Sequence, residues 1–143
     1  MSNAGFDYDD SDWPVVRIGS PKTVADDATF ERHIQRLTAY LERRKPLVFV
    51  IELHDATSLS VEQRDRIRRH EAERRDLIAR YQRGMAIVVR SSFQRAMIKA
   101  VFWLIESPSP TQAFATIEAA MSWARALLGQ QPPSVVRSQS AHH

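Results

Sequence analysis

The sequence predicts an α/β domain, a four- or five-stranded mixed sheet flanked by about four helices. Three observations carry this. Leu47–Ile51 and Met85–Val89 are continuous apolar runs of strand length, the pattern of central strands covered on both faces. Segments with apolar residues at helical spacing separate them. Proline, glycine and capping residues punctuate the junctions.

In order, Trp13–Ile18 reads as a strand with Pro14 near its start, where a missing N–H is tolerated. Phe6 and Tyr8 alternate with aspartates and predict a short preceding edge strand. Asp26 and Asp27 open a helix, since carboxylates suit a helix N-terminus. Phe30, Ile34, Leu37 and Leu41 form its apolar face and Pro46 stops it. After Leu47–Ile51, Ser60 and Gln63 form a capping-box pair for one long charged helix to about Arg83, ended by Gly84. Ser91 or Ser92 then caps a helix whose apolar face is Phe93, Met97, Val101, Phe102 and Ile105. Pro108 and Pro110 break the chain, Gln112–Ala115 is a short strand, and Thr116 caps a last helix to Leu128, terminated by Gly129. This alternation implies parallel crossovers with helices on both sheet faces.

The length of 143 residues predicts one domain. Residues 1–5 are expected to be flexible, 6–129 to fold, and 130–143 to form a disordered, Pro- and Ser-rich tail. The absence of cysteine excludes disulfides, thiolate metal sites and cysteine nucleophiles. The longest apolar run, Met97–Ile105, is nine residues and contains Lys99, so no membrane insertion is expected. With no signal-like N-terminus, a cytoplasmic location is expected. Net charge is +3; residues 1–12 hold four aspartates and no base, which leaves +7 on the rest. A basic body invites an anionic partner.

In open α/β sheets ligands bind beyond the carboxyl ends of the strands. There Arg90 and the hydroxyls of Ser58, Ser60, Ser91 and Ser92 could surround an anion at helix starts, with Arg95 and Lys99 reinforcing the field. Helix capping alone also accounts for these serines. His54-Asp55 follows a strand, and Ser58 or Ser60 is a conceivable nucleophile, but no nucleophile elbow is present. With four glycines, no Gly-rich phosphate loop can be written. Asp7–Asp12 lacks the central glycine and closing glutamate of a calcium loop. No metal or cofactor is expected.

The Ser60–Arg83 segment holds eight arginines and five acids. Glu62–Arg66, Asp65–Arg69, Glu71–Arg75 and Asp76–Arg80 are acid-first i,i+4 pairs, each contributing about 0.2–0.5 kcal/mol when exposed. They absorb charge, and no aromatic is interleaved as single-strand recognition requires, so nucleic acid is not the expected partner. A polar gap from Arg68 to Asp76 exposes Arg68, Arg69, Arg74 and Arg75 as a candidate contact surface. Trp123, with Phe93 or Met97, is a candidate patch for a partner or homodimer, although large aromatics are more often buried.

The element order (a strand pair, a helix, Leu47–Ile51, a helix opening past Thr57-Ser58, Met85–Val89 and two closing helices) resembles a STAS domain, specifically the SpoIIAA-like (STAS/SEC14) branch. The closing Glu118-Ala119-Ala120-Met121-Ser122-Trp123-Ala124 is similar to the Ala-rich, Trp-containing last helix of that branch. The resemblance covers about residues 6–128. It implies a non-enzymatic module that regulates by binding proteins, some relatives also taking small ligands. Switch-type members carry a phosphorylated hydroxyl in an Asp-Ser-Ser-Gly-like turn. Here Val61 and Glu62 fall at the hydroxyl pair's place, no glycine follows, and Ser58 and Ser60 are the nearby hydroxyls. The expected function is therefore a regulatory or scaffolding module with a protein partner. A small-ligand or anion-binding domain is the alternative, and a hydrolase using His54 and Asp55 the third reading.

Overall fold

A computed structural model describes residues 5–54, 60–104 and 108–129, with backbone only at 98 and 100–104. The elements are β1 (Asp7–Asp9), β2 (Val15–Gly19), α1 (Asp27–Leu41), β3 (Leu47–Glu52), α2 (Val61–Glu73), α3 (Arg75–Tyr81), β4 (Gln82–Val88), α4 (Ser92–Leu104), β5 (Thr111–Phe114) and α5 (Ile117–Gly129). The strands form one sheet in the order β1-β2-β3-β4-β5. β1 runs antiparallel to β2, and the other neighbours are parallel. The predicted edge strand at Tyr8 is therefore present.

Alternation along the strands divides the core in two. Val16, Ile18, Leu47 and Phe49 join Phe30, Ile34, Leu37 and Leu41 of α1 and Ile78 of α3 in one cluster. Val15, Val48, Val50, Ala86 and Val88 join Ala120, Met121 and Ala124 of α5 in the other. The continuous run in β3 is thus apolar because alternate residues feed opposite cores, as expected of a strand covered on both faces.

The long charged helix predicted from Ser60 to Arg83 is instead two helices. Arg74 leaves the helical region (φ −111°, ψ 23°) between α2 and α3. The break falls inside the polar gap, where no aliphatic side chain larger than Ala72 can hold a straight helix to the sheet. Gly84 does not terminate it. The chain enters β4 at Gln82, and Gly84 pairs with Val48 inside the sheet. A Cβ at Gly84 would lie 2.6 Å from Leu127 Cδ1 and 2.9 Å from Trp123 Cη2, so this glycine lets α5 approach β4 closely. Trp123 itself leans on Phe114, ring centroids 5.4 Å apart. α1 ends at Leu41, before Pro46, and Arg44 takes a left-handed φ of 58° in the turn that follows.

Of the four i,i+4 pairs, the structure forms Asp65–Arg69 at 3.5 Å. Arg66 reaches across to α1, where Nε and Nη2 donate to the two Glu31 carboxylate oxygens at 2.9 and 3.0 Å. This fork pulls the Glu31 carboxyl below its usual range. Glu71 is half-buried, and burial raises its carboxyl.

Candidate functional site at the carboxyl edge of the sheet

Beyond the strand ends the ladder continues for one residue. Ser20 N–H donates to Glu52 O at 3.0 Å, Leu53 to Val88 O at 3.0 Å, and Val89 to Phe114 O at 2.9 Å. α1, α2 and α4 all start at this edge, each with its own cap. Asp26 accepts from Thr29 N–H at 2.7 Å, and that bond holds its carboxyl below the usual range. Ser60 and Gln63 form the predicted capping box. Gln63 Nε2 also donates to Ala25 O at 2.7 Å in a buried contact, fastening the β2–α1 connection to the first turn of α2. Ser91 Oγ accepts from Gln94 N–H at 3.2 Å at the start of α4.

The residues proposed to surround an anion have different fates. Arg90, Ser91 and Ser92 are exposed at the start of α4. Ser60 is half-buried in the cap of α2, a different helix. Arg95 turns inward, its Nη1 donating to Val89 O and Arg90 O, each at 2.7 Å. It thereby gives the two carbonyls just past the end of β4 a side-chain donor. Lys99 is exposed farther along α4. His54 is exposed, and its backbone N–H donates to the buried Ser20 hydroxyl at 3.4 Å. Ser58 and Asp55 lie outside the described residues. Among the described residues no group of three or more His, Asp or Glu is placed to hold a metal ion.

The arginines of the second candidate surface are all exposed. Arg68 and Arg69 share one carboxylate, Asp65, at 3.4 and 3.5 Å. Arg74 and Arg75 straddle the α2–α3 junction, and among the described residues neither has an ion-pair partner.

Sequence reasoning offered Phe93 or Met97, with Trp123, as a candidate patch, but missed how far the exposure extends along the edge. Phe93 and Met97 were expected on the apolar face of their helix, with burial as the commoner fate of large aromatics. They are 71% and 47% exposed, and Val24 and Val61 are 51% and 67% exposed. All four follow strand carboxyl ends: Val24 between β2 and α1, Val61 opening α2, Phe93 and Met97 in the first half of α4. The signal was available. Val61 and Phe93 occupy the first two positions of their helices, over the edge rather than the sheet.

Two buried histidines were also missed. His33 stacks on Phe6 with ring centroids 3.9 Å apart, and its Nδ1 pairs with the Tyr8 hydroxyl at 2.7 Å. Burial, with the nearby His70, pushes its pKa down to about 3. His70 on α2 is pushed down to about 4 by burial and by Arg66 and Arg74.

No family model and no curated protein matches the chain. A solved structure is similar: an uncharacterized DUF3478-family protein with a SpoIIAA-like fold from Shewanella loihica PV-4. It is 15% identical, with a TM-score of 0.59, over 84% of this chain and 94% of that one. Sheet order, flanking helices and this likeness agree: the chain has a SpoIIAA-like fold, as in STAS domains.

Proposed function

We propose that the protein is a non-enzymatic regulatory or scaffolding module acting through protein–protein contacts. One observation carries this reading. The four large hydrophobic side chains most exposed among the described residues, Val24, Val61, Phe93 and Met97, all stand at the sheet edge where α/β folds present their ligands. Leaving them in water has a cost that a partner surface would relieve. The exposed Arg68, Arg69, Arg74 and Arg75 form a second contact surface, whose carboxylate Asp65 serves two guanidiniums at once. Exposed guanidiniums suit bidentate carboxylate recognition.

The test is capture from a nuclease-treated extract at low and moderate salt, followed by cross-linking and mass spectrometry. A defined protein should be retained at moderate salt, with cross-links mapping to the carboxyl edge or to α2–α3. The quadruple variant R68E/R69E/R74E/R75E should weaken retention while keeping the wild-type circular dichroism spectrum, with Tm lowered slightly by the like charges beside Asp65 and Glu71. Absence of any specific protein at either salt concentration overturns the reading.

A second reading, a small-anion site, is favoured by the exposed Arg90, Ser91 and Ser92 at the start of α4, whose first turn holds no acid. It would raise Tm in phosphate, sulfate or nucleotide for the wild type and not for Arg90→Ala.

A further inference from the structure

We propose that the first half of α4 is the docking site for an acidic, amphipathic helical segment of a partner protein. This rests on the protein-contact reading above and names the partner's chemistry.

The helix stands clear at its start. Ser92, Phe93, Ala96, Met97 and Lys99 are exposed, and Gln94 and Arg95 are half-buried. Among the described contacts the main packing of α4 is against β5. Arg95 anchors this first turn to the carbonyls at the end of β4, so the exposed face is held in place. Phe93 and Met97 are one helical turn apart, which puts them on the same face. Spacing of this kind receives the i, i+4 anchors of an amphipathic helix.

Charge selects the occupant. From Arg90 to Leu104 the chain holds Arg90, Arg95 and Lys99 and no acid, whereas α1, α2, α3 and α5 each carry at least one carboxylate. Asp27, Glu62 and Glu118 sit in the first turns of α1, α2 and α5, and the first turn of α4 has none. Its positive dipole end is therefore uncompensated. A second copy of this helix would bring bases against bases, which disfavours self-pairing. An anionic membrane would meet Asp26, Asp27 and Glu62 beside Val24 and Val61 at the same edge. A peptide helix with carboxylates beside its apolar anchors meets Arg90 and the acid-free start of α4, with Lys99 farther around the helix adding to the field.

The experiment uses labelled synthetic helical peptides with leucines at i, i+3, i+4 and i+7, read by fluorescence anisotropy on the full chain. One has a glutamate-rich polar face, one a lysine-rich face, and one is a scramble of the acidic sequence. The acidic amphipathic peptide should bind at least about tenfold more tightly than the other two. Phe93→Ser/Met97→Ser should weaken it by about tenfold or more. Arg90→Gln should weaken it several-fold and flatten its salt dependence, and Lys99→Gln, farther around the helix, should weaken it less. These positions are exposed, so unchanged circular dichroism and Tm should accompany each loss. Equal binding of acidic and basic peptides overturns the proposal, as does equal binding of the scramble or indifference to Phe93→Ser/Met97→Ser. Binding to phosphatidylserine vesicles without peptide binding overturns it in favour of a membrane. A dimer in sedimentation that Phe93→Ser/Met97→Ser abolishes overturns it in favour of a second copy. An extract-derived protein partner indifferent to α4 variants defeats this proposal alone; absence of any protein partner defeats the parent reading as well.

Discussion

Acidification from pH 7 to pH 5 should remove about 4 kcal/mol of folding stability through two histidines. His33 and His70 are 6% and 5% exposed, and their folded pKa values lie at about 3 and about 4. An unfolded chain returns each to about 6.5. Between these values the unfolded state binds protons that the folded state refuses. Stability is therefore complete above about pH 6.5, falls as pH drops, and levels off below the folded pKa values. At pH 5 both folded values lie a unit or more below ambient pH, so the loss depends almost wholly on the unfolded value. It comes to about 2 kcal/mol per histidine, and a domain of this kind has about 5–15 kcal/mol in all. The window stays above the range in which Glu31 and Asp26, whose carboxyls are held low, release their own contributions; Glu71, raised by burial, takes up its proton in the folded state first and offsets part of the loss. Urea unfolding at several pH values should show the denaturation midpoint falling at constant m. His33→Phe and His70→Gln should each remove about half of the pH slope, whatever they do to stability at pH 7. A wild-type midpoint unchanged between pH 7 and pH 5, or a double variant with the wild-type slope, would show that the two histidines do not carry the pH dependence.

Gly84→Ala should cost about 1–3 kcal/mol by overpacking against Leu127 and Trp123, read as a lower Tm with a shifted tryptophan emission. Gln63→Ala should cost about 1–3 kcal/mol, since it removes half of the capping box and leaves the buried Ala25 carbonyl without its donor; urea midpoints check it. Arg66→Met should cost about 1 kcal/mol, a modest value because Glu31 is largely solvated. The cost of that variant should shrink as salt is added in thermal melts.

The sheet and most element boundaries were legible in local patterns of the chain. Leu47–Ile51 and Met85–Val89 could be satisfied only as strands buried on both sides, and Asp26, Ser60, Ser91 and Thr116 cap helices through local bonds that need no tertiary context. The likeness to a SpoIIAA-like fold followed from the order of those elements. Of the candidate site, exposure of Arg90, Ser91 and Ser92 was legible, because a helix start after a strand end faces the edge. Tertiary structure decided the rest. Gly84 read as a helix stop because chain-local logic knows glycine as a terminator; inside β4 it makes room for Trp123 and Leu127, which are about forty residues away in sequence. Arg66 had an acid four residues before it but found Glu31 on another helix, where Nε and Nη2 grip both carboxylate oxygens. Arg95 promised a cation for a ligand and instead turned back to the carbonyls of Val89 and Arg90, just past the end of β4. Helical spacing assigned Phe93 to an apolar face, but only the path of α4 past the end of the sheet decided that this side chain stands 71% exposed. Periodicity specifies which residues share a face; what stands opposite that face is a long-range contact, set by packing rather than by neighbours in sequence.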